Sequence, residues 1–174
     1  MRLFVALDLP QSARQMLLSL QDNLEQLGMG GRRTREENLH LTLRFLGDVD
    51  ERKAPEICQR VQRAVEEQVA PMVHINGVGA FVRATGDTVF AQLGGDLSGV
   101  HRLAAAVSKA LQPMGVRAEM RPFRPHITLF RNEDEESLRT VARRPEGCFD
   151  RELFGVERIL VESPDRPDAV IELA

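Results

Sequence analysis

Hydrophobic positions along the chain fall into two rhythms, strict alternation and a step of three or four, and their succession predicts the elements. Residues 2 to 9, RLFVALDL, are β-prone and stop at Pro10; Ser12 then caps a helix carrying Ala13, Leu17, Leu20, Leu24 and Leu27 on one face. Gly28, Gly30 and Gly31 end that helix, a polar turn with Arg32, Arg33 and Arg35 follows, and Leu39 to Leu46 reads as a strand. A second helix spans about residues 51 to 69, with Ile57, Val61 and Val65 inward, and Pro71 ends it. Strands at Val73 to Val82 and Thr88 to Leu93 flank the hairpin signal Thr85-Gly86-Asp87. Asp96 or Ser98 caps a third helix with Val100, Leu103, Ala104, Val107 and Leu111 at helical spacing. Val116 to Met120 and His126 to Phe130 read as extended, and an acidic run, Glu133 to Glu136, opens a short helix from Ser137 to Arg143. Gly155 to Val161 and Ala169 to Leu173 complete the set as strands.

This order, β-α-β-α-β-β-α-β-α-β-β, does not alternate strictly, so the expected class is α+β with largely antiparallel sheets. The 174 residues suit one domain, and 43% hydrophobic content supports a packed core, which excludes disordered and fibrous classes. A net charge of -3 excludes a broad basic surface, so any polyanion must be held locally. Only Lys53 and Lys109 are lysines; the arginine surplus suits bidentate phosphate contacts, although a genome-wide composition bias would produce it equally. Trp and Tyr are absent, which leaves stacking on a base to the 8 Phe or to arginine planes. Cys58 and Cys148 match neither a disulfide framework nor a zinc knuckle. The opening residues lead into a strand that soon reaches Asp8, unlike a secretory segment, and no apolar run is long enough to span a bilayer; a cytoplasmic protein with no membrane partner is expected.

Two of the most strand-like segments carry the same element, His40-Leu41-Thr42-Leu43 and His126-Ile127-Thr128-Leu129, placed 86 residues apart in a chain whose half-length is 87. Alternation puts each His and Thr on one face, about 7 Å apart, with the apolar pair on the other. If a pseudo-two-fold axis relates the halves, two His and two Thr converge on one cleft and bracket a phosphorus atom. Such a pair suits in-line displacement without a metal: one imidazole takes the proton of water, the other protonates the leaving oxygen, and the reference pKa of about 6.5 permits both forms. Thr42 and Thr128 would donate to the non-bridging oxygens. Arg131 falls on the opposite parity from His126 and reaches phosphate only if the strand ends or twists near Phe130. One copy alone would be explained by a half-buried strand histidine bonded to a carbonyl; the matched pair is not. Zinc wants three or four ligands and neither element supplies a second one on its face, so no metal and no cofactor are expected. His74 and His101 read as surface or packing residues.

With these residues in view, the chain resembles the 2H phosphoesterase superfamily, defined by two H-x-[ST]-x motifs, and within it the bacterial and archaeal RNA 2′,3′-cyclic phosphodiesterases, or 2′-5′ RNA ligase-like proteins. The similarity runs through MRLFVALDLP, ENLHLTLRFLGDV, RPFRPHITLFR and ERILVES. It implies a bilobal fold with one antiparallel sheet per lobe, helices outside and the active site in the central cleft. By that reading residues 1–174 form one such domain, its motif-bearing halves about 1–87 and 88–174, with the lobes interleaved. The resemblance implies opening of a terminal RNA 2′,3′-cyclic phosphate to a 2′-phosphate, possible reverse ligation to a 5′-OH, His40 as proton donor, His126 as proton acceptor and Arg131 as a phosphate contact. Arg124 would add to the local positive field. Many relatives carry an aromatic residue where this chain has Arg33-Thr34, and a C-terminal Tyr where it reads Arg166-Pro167-Asp168-Ala169. Base stacking would therefore fall to Phe45, Phe123 or Phe130, each of which also suits the core. The expected partner is an RNA or oligonucleotide with a 2′,3′-cyclic end, and a monomer is expected. The alternatives are the same chemistry on a small cyclic nucleotide, a cyclic ADP-ribose phosphate or a 2′-5′ oligonucleotide, and a non-catalytic module that binds RNA ends.

Overall fold

The computed structural model describes residues 2–83, 86–116, 122–132, 154–156, 158–163 and 166–172, and in these the leading apolar run forms strand β1, Arg2–Asp8. The hydrogen-bonding register of β1 runs antiparallel to β3 (Leu41–Asp48) on one side and to β8 (Arg158–Ser163) on the other, with β9 (Arg166–Glu172) beyond β8. A second antiparallel sheet is ordered β2 (Arg32–Arg33), β6 (His126–Asn132), β5 (Asp87–Gly95), β4 (Met72–Phe81), β7 (Phe154–Gly155). The protein is thus α+β with two antiparallel sheets, and each H-x-T-L element lies on a different one.

Helix α1, Gln11–Gln26, buries Ala13, Leu17, Leu20 and Leu24 as its spacing predicts, but Pro10 rather than Ser12 stands at its N-terminus. Proline fixes φ, here at -64°, and lacks the N–H that a first turn leaves unused, so the helix starts two residues earlier than a hydroxyl cap would set it. The predicted second helix is shorter than its apolar spacing suggested: a 3₁₀ turn at Glu51–Lys53, capped by Asp50 accepting from the Arg52 amide at 3.0 Å, leads into α2, Ala54–Val65. Helix α3, Leu97–Leu111, is capped by Asp96, whose carboxylate accepts from the Gly99 amide at 2.9 Å. The Arg-rich turn is in part a strand, β2, which pairs Arg32 with Arg131 and Arg33 with Phe130. The helix expected at Ser137 to Arg143 and most of the extended segment expected at Val116 to Met120 lie outside the described residues. Among the described residues no helix is long and apolar enough to cross a membrane.

The helices cross between sheets. α1 follows β1 of the first sheet, yet its buried Gln21 donates to the Leu129 carbonyl of β6 in the second; α3 follows β5 of the second sheet and packs against β3 of the first.

Neither motif strand alternates throughout. Along β3, Thr42 stands opposite Ala6 and Arg44 opposite Val5, so Leu43 is an extra residue; along β6, Thr128 stands opposite Phe90 and Phe130 opposite Val89, so Leu129 is extra. A bulge therefore occupies the fourth position of both motifs, and past a bulge the face on which each side chain emerges is inverted. Thr42 and Phe45, three residues apart, end opposite Ala6 and Phe4 on one face of β1, while Thr128 and Arg131 end opposite Phe90 and Thr88 on one face of β5. Arg44 and Phe130, one residue earlier, pair with Val5 and Val89 instead and are buried.

Candidate active site

The inversion at Leu129 decides the two sequence candidates that strict alternation left in conflict. Arg131 shares a face with His126 and Thr128 after all, without the strand having to end at Phe130. Phe130, expected to be available for base stacking, is 1% exposed: the same bulge turns it beside Val89 into the core, and it is withdrawn as a substrate contact. Phe45 goes the other way. At 62% exposed on β3 it is a large apolar side chain held in solvent, at the position that Arg131 occupies on β6.

Between the two motif strands lies a cavity of about 610 Å³, lined by Thr42 to Phe45 on one side and by Phe81, Arg83, Phe123, Arg124 and His126 among the residues on the other. Thr42, Phe45, Arg124 and His126, all read from the sequence, are thus brought together. His40, Thr128 and Arg131 are not part of that lining; Thr128 and Arg131 share His126's strand face, and His40 stands immediately before β3.

His126 is oriented by its own backbone. Its Nδ1 lies 2.7 Å from the Arg124 carbonyl oxygen, which can only accept, so Nδ1 carries the proton and Nε2 of the neutral ring holds a free lone pair. Phe81 and Phe90 stack on each other at 4.3 Å and meet the imidazole edge-on at 5.1 and 5.4 Å. Burial by these rings lowers the His126 pKa below its ordinary 6.5; the Arg124 bond opposes that shift, and the positive charges of Arg131 and Arg83 add to it. The ring is therefore neutral near pH 7 and able to accept a proton.

His40 stacks on Phe4 at 4.8 Å, with the two rings inclined by 20°. Burial, aided by the Arg14 guanidinium and opposed by the Asp8 carboxylate, pushes its pKa down to about 4. Asp8 and Arg14 form an ion pair with each other, and Arg14 also donates to the backbone carbonyls of Leu9 and Glu36 at 3.3 and 3.2 Å. His40 is thus neutral at pH 7, and its Nδ1 is buried without a hydrogen-bond partner among the described residues. The ring titrates near 4 when folded and near 6.5 when unfolded, so the unfolded chain takes up the proton first as pH falls. The stability that this contributes is complete above pH 6.5 and is lost toward pH 4, by about 3 kcal/mol at the low end. Denaturant midpoints measured from pH 7 to 4 are expected to fall, and His40→Gln, which cannot take the proton, is expected to flatten part of that fall; an unchanged slope would contradict the assignment.

Sequence reasoning missed Phe81, Phe90 and Arg83, whose guanidinium lies 5.8 Å from the Phe81 ring centre. The signal was the hairpin itself: β4 and β5 pair antiparallel, and the registers of β4 and β6 on β5 carry Phe81 and Phe90 to His126. Phe123, held edge-on by His101 at 5.3 Å, joins the cleft as a candidate stacking surface alongside Phe45.

Residues 7–89 and 97–157 match the family model described as LigT like Phosphoesterase. The chain belongs to the LigT-like phosphoesterase family. Among its LigT-like relatives, the RNA 2′,3′-cyclic phosphodiesterase of Aeropyrum pernix is 31% identical over 142 residues, covering 81% of this chain and 80% of its own. The protein of the same name from Thermotoga maritima is 32% identical over 131 residues, covering 75% and 70%. The crystal structure of Escherichia coli LigT complexed with 3′-AMP has the same fold, with a TM-score of 0.75 at 26% identity over 99% of this chain and 95% of that one. The resemblance that the paired motifs carry is thus one of family.

Proposed function

We propose that this LigT-like protein hydrolyses terminal RNA 2′,3′-cyclic phosphates to 2′-phosphomonoesters, with His126 as base and His40 as acid. The observation that carries this reading is the Nδ1–H bond from His126 to the Arg124 carbonyl, which leaves Nε2 as the proton acceptor at the edge of a cleft whose other wall is the first motif strand. Water attacks phosphorus as Nε2 removes its proton; the P–O3′ bond breaks and the protonated His40 delivers a proton to O3′. The substrate's phosphate brings a further negative charge near His40 that favours the imidazolium. Thr42 and Thr128 hydroxyls and the Arg131 guanidinium meet the non-bridging oxygens, where charge grows in the transition state. Both relatives described above bear the name RNA 2′,3′-cyclic phosphodiesterase. In ligation a 5′-OH takes the place of water and the same groups keep their roles, His126 accepting the hydroxyl proton and His40 protonating O3′, and abundant water favours hydrolysis.

A second reading, hydrolysis of a free cyclic mononucleotide, is favoured by the size of the cavity, which falls within the usual range for a small-molecule site, and by the mononucleotide bound to the E. coli protein. The deciding measurement is turnover of a 2′,3′-cyclic mononucleotide and of an oligonucleotide with the same end, with 2′- and 3′-phosphate products resolved. Exclusive 2′-phosphate, formed at an unchanged rate in EDTA, is expected. A 3′-phosphate product would reverse the leaving group, and strong loss on chelation would require a metal that this mechanism does not use.

A further inference from the structure

Beyond the cleft, the face of the second sheet that carries His126 continues onto β5 and β4, and its surface is constructed in an unusual way. Three glycines lie on it, and each is roofed by a flat side chain from the neighbouring strand. A Cβ on Gly77 would come within 2.5 Å of Gln92 Oε1, one on Gly79 within 2.7 Å of Phe90 Cζ, and one on Gly94 within 2.6 Å of His74 Nε2. Side chains larger than hydrogen at these positions would lift the amide, the phenyl ring and the imidazole away from the sheet. With glycine there, all three lie across the adjacent strand instead of standing up from their own. The result is a floor of planar groups. Asn76, the extra residue of a bulge in β4, adds an exposed amide at its margin.

This floor begins at the candidate base. Gln92 stands directly opposite His126, Gly77 directly opposite Gln92, and the Phe90 ring lies 5.4 Å from the imidazole. At ordinary strand spacing the row from His126 to Gly77 spans about 10 Å. An RNA whose 3′ end sits against His126 must continue in its 5′ direction out of the cleft, and this face is a surface that adjoins His126 directly. Planar groups lying flush with a sheet suit unstacked bases, and amides and an imidazole at the margin suit hydrogen bonds to base edges. A duplex would not offer its base faces to such a floor.

Resting on the hydrolytic reading above, we propose that the face formed by His74, Asn76, Phe90 and Gln92 seats the single-stranded nucleotides that immediately precede the cyclic phosphate. The protein would thereby favour an RNA end over the corresponding free nucleotide. The contacts are with bases and few in number, which agrees with a chain of net charge -3 that holds no long basic track.

The test compares kcat/KM on a 2′,3′-cyclic mononucleotide with kcat/KM on tri- and pentanucleotides ending in the same group. The wild-type protein is expected to gain about tenfold or more over the first two added nucleotides and little thereafter. The double variant His74→Ala/Asn76→Ala is expected to lose most of that gain while its mononucleotide rate stays within about twofold. Asn76→Asp, which brings a negative charge against the bound polyanion, should lower the oligonucleotide value further. Equal rates on short and long substrates in the wild type, or equal losses on both in the variants, would overturn the proposal while leaving the hydrolytic reading intact. No turnover of any cyclic-ended substrate would overturn that reading, and this inference with it.

Discussion

Alanine in place of His126 is expected to lower kcat by about 10² or more on any cyclic phosphate substrate, with the secondary structure unchanged by circular dichroism. The imidazole accepts the water's proton, and among the described residues the rings of Phe81 and Phe90 and the cations of Arg83 and Arg131 that surround it cannot take its place. His40→Ala is expected to cost a similar factor for the opposite reason, loss of the proton bound for O3′. A cyclic substrate with sulfur replacing O3′ separates the two roles, because a thiolate leaves without a proton. That substrate should restore His40→Ala and leave His126→Ala impaired; the reverse pattern would exchange the assignments. The pH dependence follows from the same environment. The fold holds both histidines below 6.5, so kcat/KM, which reports the free protein, should fall as pH rises through neutrality. The phosphate's charge favours both imidazolium forms, so kcat, which reports the loaded complex, should hold to higher pH.

Gln21→Leu is expected to cost about 2 kcal/mol of stability and to weaken catalysis without touching the substrate. This glutamine is fully buried on α1, and its amide donates at 2.9 Å to the Thr34 carbonyl and at 3.0 Å to the carbonyl of Leu129, the residue of the second bulge. The Thr34 amide reaches the same Leu129 oxygen at 2.9 Å. Two donors thus converge on the peptide group that inverts the strand and places Arg131 beside His126. A merely structural role would lower stability and leave the remaining activity as dependent on Arg131 as before. As a positioning residue, Gln21 should couple to it: Arg131→Ala should cost less kcat/KM in the Gln21→Leu background than in the wild type. Additive losses would refute the coupling.

How much of this was legible follows from which signals are local. Helices with one apolar face, such as the Val100 to Leu111 run, and the Asp96 cap depend on near neighbours, and the structure reproduces them. The α+β class followed from element order, and the motif pair stood out because the same four residue types recur in two strand contexts. Phe130 was misjudged because alternation is a rule for regular strands, and a leucine opposite no residue carries no compositional mark. Gln21 went unnoticed because a buried amide in a helix looks, in sequence, like any exposed glutamine; its meaning lies 108 residues away at Leu129. The low pKa of His40 likewise arises from burial and from Arg14 and Asp8, which only the fold brings near it.

The two bulges also make the site sensitive to counting. Flattening the bulge, so that Leu129 paired opposite Val89, would leave every catalytic side chain in the polypeptide, yet uninterrupted alternation would carry Arg131 toward the hydrophobic interior and expose Phe130 in its place. Flattening the bulge at Leu43 would do the same to Phe45 and Arg44. In this protein the register of each motif strand is therefore as much a part of the catalytic code as its histidine.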